Sequence, residues 1–392
     1  MLIGAILMNQ NKDLIIRQEK PIETGKTQND LARAGAAANR VAADYLFTDY
    51  RQRRAERTIR TQTAALQLWV QYLANVGAAN ELLSEAETWA LAYFDDETLQ
   101  SLAEHAETQG LEVSVVLAAH YCQHLAAAWQ GVTWGLVEGF VKWLLNQGYS
   151  VSSINNRLSA VKVYARLAAK AGTISPEENA LIREVRGYGS TEGKRVNTKR
   201  GKQRVGYKKE EAIVLTAKQA RRLKTEHPPT PQGIRDRLLI CLLLDLGLRA
   251  SEVSALRVED FADSGYVTVH RQKTDTVDKM SLSPDLTAVL ADYRRYMRKS
   301  GELLRGSRKN GRLTDHIMSI RAIGARVKTL GRDILSIWEL SPHDLRHTWA
   351  TQAAKESNPF VLRDAGGWTN MQTPSRYVEK AKVVNEGIRL DY

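Results

Sequence analysis

Three short strings in the C-terminal half of the chain bring together side chains that handle anions and protons. Gly247-Leu248-Arg249-Ala250-Ser251-Glu252 places an arginine at a helix–helix junction, with an acid in the first turn of the next helix. Pro342-His343-Asp344-Leu345-Arg346-His347 spaces His343 and Arg346 so that, on a helix, they share a face. Gly366-Gly367-Trp368-Thr369-Asn370 is followed by Arg376-Tyr377. A guanidinium fork matches phosphate oxygens and keeps its charge. An imidazole donates or takes a proton, an indole N–H only donates, and a tyrosine hydroxyl becomes a nucleophile once activated. Each residue alone has an ordinary structural reading: Arg249 as a carboxylate's partner, His343 as a helix cap, Tyr377 as a packed ring.

Taken together and in this order, the strings resemble the catalytic domain of the tyrosine recombinases, also called phage integrases. That family's pattern is an arginine in a Gly-Leu-Arg-x-x-Glu context, a His-x-x-Arg, a Gly-Gly-His/Trp, and a tyrosine nine residues after that His or Trp. Trp368 and Tyr377 have this spacing, and the string Ala365–Asn370 is Cre-like. The resemblance is specific over residues 216–377, weaker over 57–172, and gives no guidance for 1–54.

The resemblance implies a mechanism. Tyr377 attacks a DNA phosphodiester, forming a 3′-phosphotyrosyl link and releasing a 5′-hydroxyl. A partner strand's 5′-hydroxyl then attacks that link, and two such rounds pass through a Holliday junction in a tetrameric synapse. Arg249 and Arg346 would stabilise charge growing on the non-bridging oxygens, where one fixed donor is commonly worth ~3–4 kcal/mol. His343 would donate to the phosphate or take the tyrosine proton. Trp368 stands where many relatives have histidine and can donate but not accept. Glu252 would orient His or Arg rather than touch DNA. In the family a lysine in the hairpin between two strands protonates the leaving oxygen; Lys273, after strand 266–272, is the match, and Lys279 is its rival. Because the covalent link conserves the bond energy, no metal or nucleotide cofactor is expected. Two alternatives remain open: a type IB topoisomerase-like nicking-closing enzyme, and a non-catalytic DNA-binding protein that keeps the fold.

The elements that must position these residues are mostly helical. An apolar helix is expected from about 233 to 246, with Gly247 as a left-handed cap. Tyr266–His270 alternates like a strand, with 279–282 its partner, and the remainder reads as helical. Upstream, Ile59, Leu66, Trp69 and Leu73 share one helical face, as do Val137, Phe140, Val141 and Leu144. Ser152 is a candidate N-cap for a helix carrying Ile154, Leu158, Val161, Ala165 and Ala168. The expected fold is therefore mainly α, with a helical core-binding domain and a mostly helical catalytic domain holding a small antiparallel β-sheet. The expected boundaries are an N-terminal extension of unknown role (1–54), the core-binding domain (55–186), a basic linker (187–212) and the catalytic domain with its tail (213–392).

The charge pattern supports a polyanionic partner. The chain has a formal net charge of +12 over 392 residues. From 194 to 209, Lys194, Arg195, Lys199, Arg200, Lys202 and Arg204 occur in a Gly-interrupted stretch without one acid. This stretch reads as a strap on DNA phosphates, each contact adding salt-dependent affinity. Between Arg60 and Lys142 there is no Lys or Arg, and Glu81, Glu87, Asp95, Asp96, Glu97 and Glu107 fall there with other acids. That acidic stretch cannot lie along a DNA backbone and reads as a solvated face.

His120 and His124 sit at i, i+4, a possible metal pair, but Cys122 points about 160° away from their face, so no metal site is expected. The two cysteines, Cys122 and Cys241, fit a reducing compartment. The apolar start, 1–7, is too short to span a bilayer and lacks signal-peptide flanks. The expectation is a cytoplasmic protein, nucleoid-associated when bound to duplex DNA at a specific site, and without a membrane partner. The apolar positions Val383, Val384, Ile388 and Leu390 suggest a tail that docks either on its own domain or on a neighbouring subunit.

Overall fold

The computed structural model describes residues 28–199, 212–262, 265–272 and 274–381. The chain divides into two compact units, residues 1–207 and 208–392.

The first unit is helical: α1 (Gln28–Gln52), α2 (Glu56–Asn75), α3 (Asn80–Tyr93), α4 (Asp96–Gln109), α5 (Val113–His124), α6 (Trp134–Asn146), α7 (Val151–Lys170), α8 (Pro176–Glu184) and α9 (Ser190–Lys199). The apolar spacing read from the sequence buries Leu66, Trp69 and Leu73 of α2, Phe140 and Leu144 of α6, and Ile154, Leu158 and Val161 of α7 in one core. At its centre Trp129 stacks on Trp69 on one side and on Tyr164 on the other, with centroids 6.2 Å apart in both pairs. The Trp129 indole donates to Cys122 O at 2.9 Å, so the only polar atom of that ring is satisfied.

Three details differ from expectation. α7 is capped by Ser150 rather than Ser152: the Ser150 hydroxyl accepts the Ser153 N–H at 3.3 Å, and Ser152 lies inside the first turn. The segment 1–54 is not separate from the helical domain throughout, because α1 runs into it and Phe47 is buried in the same core. Residues 190–199 form a helix where an irregular linker was expected. Their polar sequence shows no apolar period, yet Gly193 packs so closely that a Cβ there would lie 3.0 Å from the Val151 side chain.

The second unit opens with α10 (Ala217–Thr225), α11 (Pro231–Asp245) and α12 (Ala250–Ala255). A three-stranded antiparallel sheet follows in the order β1 (Phe261–Ala262), β2 (Tyr266–Arg271), β3 (Thr276–Ser281), with Val267 opposite Met280 and Arg271 opposite Thr276. Then come α13 (Pro284–Tyr293), β4 (Arg305–Ser307), β5 (Leu313–Ile317), α14 (Ile320–Leu335), α15 (Pro342–Glu356), α16 (Pro359–Gly366) and α17 (Gln372–Ala381). α11 is the spine of this unit, with Leu238 to Leu244 buried on every side. The β4–β5 hairpin was read as helical; its strands are too short for their alternation to stand out, and Asn310-Gly311 supplies the turn.

Candidate active site

The site begins where α11 stops. Gly247 has φ +59°, and a Cβ there would lie 2.2 Å from the Trp349 ring, so both conformation and space demand glycine. The turn places Arg249 immediately before α12, where the half-buried guanidinium meets the buried carboxylate of Glu252. Glu252 accepts from the Arg249 backbone N–H at 2.7 Å and from Arg249 Nη1 at 2.6 Å. It also accepts from Nη1 of Arg271, at the end of β2, at 3.0 Å. One carboxylate thereby holds two guanidinium groups.

Arg271 has no solvent exposure. Its Nε donates to Asp278 of β3 at 2.8 Å and its Nη2 to Ala365 O of α16 at 2.9 Å. This arginine accounts for one of the paired glycines: Gly367 has φ +57°, and a Cβ there would come within 2.9 Å of the Arg271 Nε. At Gly366 a Cβ would meet the Trp368 ring at 2.2 Å. The Gly-Gly step is thus shaped by an arginine below and a tryptophan beside it.

α15 is held by its own cap. Asp344 accepts from the Ser341 backbone N–H at 2.8 Å and from the Ile213 N–H at 2.9 Å, and Thr348 accepts from the Leu215 N–H at 3.0 Å. Arg346 on this helix is 4% exposed; it donates to Gly247 O at 2.5 Å and to Gly366 O, and lies 4.8 Å from the Trp368 ring centroid. Burial, followed by the charge of Arg249, lowers its pKa to about 10, so it remains cationic at neutral pH. The carbonyl contacts fix the plane of the guanidinium before any anion arrives, which is the preorganisation that favours transition-state charge.

Tyr377, on α17, stacks beside Trp368 with centroids 5.9 Å apart. Its hydroxyl lies 2.6 Å from His347 Nδ1 and 3.4 Å from His347 Nε2. His343 Nε2 lies 3.0 Å from His347 Nε2. Burial raises the Tyr377 pKa above its ordinary value, with Arg346 pulling the other way. Desolvation lowers that of His343, aided by Arg346 and Arg249 and opposed by Asp344.

Residues 213–383 match the phage integrase family. The chain is 28% identical to tyrosine recombinase XerC of Xanthomonas axonopodis pv. citri over 276 residues, covering 70% of this chain and 75% of that protein. It is 31% identical to XerC of Xanthomonas campestris pv. campestris strain B100 over 212 residues, covering 54% of this chain but only 58% of that protein. The fold is shared with the XerH site-specific recombinase, solved in a post-cleavage complex with palindromic difH substrate. That likeness has a TM-score of 0.53 at 15% identity and covers 82% of this chain and 94% of that one. Residues 213–383 thus carry a phage integrase domain, and the chain is similar to tyrosine recombinases.

The structure brings Arg249, Glu252, His343, Arg346, Trp368 and Tyr377 together on one side of the second unit. His343 is not the imidazole nearest the tyrosine: His347, one helical turn further on, stands between them. Position 273 falls in the connection between β2 and β3, and Lys273 lies outside the described residues. The rival Lys279 sits on β3 with its ammonium 4.6 Å from the Tyr266 ring centroid. Strand alternation puts it on the face opposite to Asp278 and Met280, both of which touch Arg271.

Of the basic stretch, Lys194, Arg195 and Lys199 are exposed on α9, while Arg200, Lys202 and Arg204 lie outside the described residues, as does the tail from 382 onward. The His124 Nδ1–H donates to His120 O at 2.7 Å, and the His120 and His124 rings pack in an aromatic cluster with Phe94. Among the described residues no group of His, Cys, Asp and Glu is arranged to hold a metal, and no helix is long and apolar enough to cross a membrane.

Sequence reasoning missed Arg271 and His347. A signal existed for each. Arg271 ends an alternating strand on the phase of Val267 and Val269, which places it inward. His347 follows Arg346 at i+4 from His343, on the same helical face.

Proposed function

We propose that this chain is a site-specific DNA recombinase that cuts and rejoins duplex DNA with Tyr377 as its nucleophile. The observation that carries this reading is the Tyr377 hydroxyl set beside Trp368 and an imidazole, within the field of the carbonyl-anchored Arg346. A scissile phosphate entering here meets two fixed guanidinium groups, and attack by Tyr377 forms a 3′-phosphotyrosyl link with release of a 5′-hydroxyl. Lys273, in the β2–β3 connection, is the proposed proton donor to that leaving oxygen. Exchange of strands through a Holliday junction within a DNA-bound tetramer completes the reaction.

In this reading the second unit is the catalytic domain and the first is a DNA-binding domain. Basic side chains of the first unit, Lys194, Arg195 and Lys199 on α9 and Arg166, Arg183 and Arg186 around a surface concavity, supply phosphate contacts.

The test is covalent capture. The protein is incubated with a pool of nicked duplexes whose cleaved 5′ fragment diffuses away, and adducts are resolved on a denaturing gel. Wild type should form an adduct, and Tyr377→Phe should bind DNA without forming one. An adduct persisting in Tyr377→Phe overturns the nucleophile assignment. Exchanged products from plasmids carrying two captured sites, rather than relaxed circles alone, separate recombination from nicking and closing.

A further inference from the structure

We propose that the buried Arg271 is the positioning residue for the general acid: it sets where the β2–β3 turn delivers Lys273 relative to the phosphate-binding arginines. The inference rests on the reading of Tyr377 as nucleophile and Lys273 as proton donor, and names the residue that keeps that donor in register.

The C-terminal end of α16 offers three consecutive carbonyls, and each takes a different arginine. Ala365 O accepts from Arg271 Nη2 at 2.9 Å, Gly366 O from Arg346 Nη2, and Gly367 O from Arg249 Nη2 at 3.3 Å. Helix-end carbonyls lack partners within their own helix, so donors from elsewhere are held there. Arg249 and Arg346 are the proposed phosphate donors. Arg271 has no solvent exposure and cannot meet an anion itself. Its remaining contacts run outward to other elements: Nε donates to Asp278 of β3 at 2.8 Å and Nη1 to Glu252 at 3.0 Å, and Glu252 also holds Arg249. One helix end therefore registers both the donors and the base of the β2–β3 hairpin.

The backbone of Arg271 holds the tip of the same hairpin. Its carbonyl accepts from the Thr274 N–H at 3.0 Å and the Asp275 N–H at 2.8 Å, closing the turn that contains position 273. Asp275 ends the turn at φ +53°, a left-handed conformation uncommon outside glycine, with its carboxylate 3.3 Å from His270 Nε2. Side chain and carbonyl belong to one residue. Fixing the guanidinium on Glu252, Asp278 and Ala365 O thus also fixes the backbone from which the turn springs. Lysine is a point charge on a flexible stem, so its reach depends on where the backbone delivers that stem.

In cleavage the Tyr377 proton is lost to the medium as its oxygen bonds to phosphorus. The P–O5′ bond breaks with its electron pair on O5′, which takes a proton from the Lys273 ammonium and leaves a neutral amine. Rejoining returns that proton. Arg271 acts only on the distance over which this transfer occurs, and a misplacement of about 1 Å can cost roughly 10²-fold.

The test compares single-turnover cleavage of a captured nicked duplex with that of the same duplex carrying a 5′-bridging phosphorothiolate, whose thiolate leaves without a proton. Arg271→Met should bind DNA as wild type does and cleave the natural phosphodiester about 100-fold more slowly. On the phosphorothiolate it should come within a few-fold of wild type. Arg271→Lys should recover part of the loss, since one ammonium replaces some contacts of the fork. Arg249→Ala should stay slow on both substrates, because a better leaving group does not replace a lost phosphate donor. A wild-type rate in Arg271→Met, or an equal loss on both substrates, overturns the proposal. Should Arg271→Met fail to fold, Asp278→Ala removes only the contact to β3 and should show a smaller loss with the same rescue; no loss, or a loss without rescue, overturns it. Failure of wild type to form an adduct, or of the phosphorothiolate to rescue Lys273→Ala, counts instead against Tyr377 or Lys273. Amide hydrogen exchange in the free protein then judges Arg271 separately. The Thr274 and Asp275 N–H groups should exchange faster in Arg271→Met and in Asp278→Ala, and unchanged exchange overturns the proposal.

Discussion

In the helical unit the largest fully buried side chains are Trp69, Trp129, Tyr164 and Phe140, whereas in the second unit Arg235 and Arg271 stand among them. Among the described residues every buried charged side chain belongs to the second unit: Arg235, Asp236, Glu252, Arg271, Asp344 and Arg346. Burying a charge is costly unless it is paired and hydrogen-bonded, and apolar residues of like volume often serve stability as well or better. The first unit is built for packing. In the second, Glu252, Arg271 and Arg346 sit under or within the site and hold its parts in register, which is what a buried ion network supplies when stability alone does not require it. Arg235 and Asp236 lie elsewhere, where Asp236 is shared with Arg326 at 2.6 Å; they extend the same pattern to the anchoring of α14 on α11.

The sharpest way to break this contrast is to remove a charge from the site and a ring from the helical core. Arg346→Ala should lower the rate of covalent adduct formation by about 10²–10³-fold, the loss typical of one preorganised donor, with the helical unit's melting unchanged. Trp69→Ala should cost about 3–5 kcal/mol of the helical unit's stability, the usual penalty for truncating a large buried aromatic. Its effect should appear in thermal unfolding followed by tryptophan fluorescence, while the pH profile of cleavage by the folded fraction stays that of wild type. If Arg346→Ala mainly unfolds the protein and leaves adduct formation per folded molecule intact, the buried charges are structural and the contrast fails.

A smaller effect separates the units by pH. In the first unit burial, then the charge of Arg51, holds His120 and His124 far below the ordinary imidazole range, at about 4 and about 3. They stay neutral in the fold but protonate in the unfolded chain below ~6.5. The unfolded state therefore binds more protons, and stability is lost as pH falls from about 6.5 toward 4, on the order of 1 kcal/mol per pH unit for each histidine. His124→Phe should flatten that acid limb in an unfolding titration. An unchanged slope would mean that the ring is hydrated.

The legible part of the molecule was the part with a period or a motif. Leu66, Trp69 and Leu73 repeat at helical spacing and were buried as read, and Gly247 capped α11 with a positive φ. The motif residues converge because their spacings suit helices that the apolar pattern already required. What escaped was tertiary. Arg271 looks like any strand-end arginine until Glu252, Asp278 and Ala365 O surround it. His343 and His347 are equivalent on a helical wheel, and only the arrival of α17 decides which one meets Tyr377. α9 escaped because its sequence carries no apolar period, although Gly193 packs closely on Val151.

The smallest expected effect concerns two charged faces of the first unit. α3 and α4 expose Glu81, Glu87, Glu97 and Glu107 in a stretch without Lys or Arg, while α9 exposes Lys194, Arg195 and Lys199. If α9 lies on phosphates, each cation releases condensed counterions, and each loss should reduce the slope of log affinity against log salt by about 0.9. Arg195→Gln should therefore weaken DNA binding equally across sequences and flatten that slope by roughly one, without altering the cleavage rate at saturating DNA. Glu87→Gln on the acidic face removes a charge of opposite sign from an equally solvated position and should leave the slope where it was. Measured side by side in salt titrations, the pair isolates contact from net charge. A like response in both variants would mean that only total charge matters and that α9 is a solvated helix with no seat on the DNA.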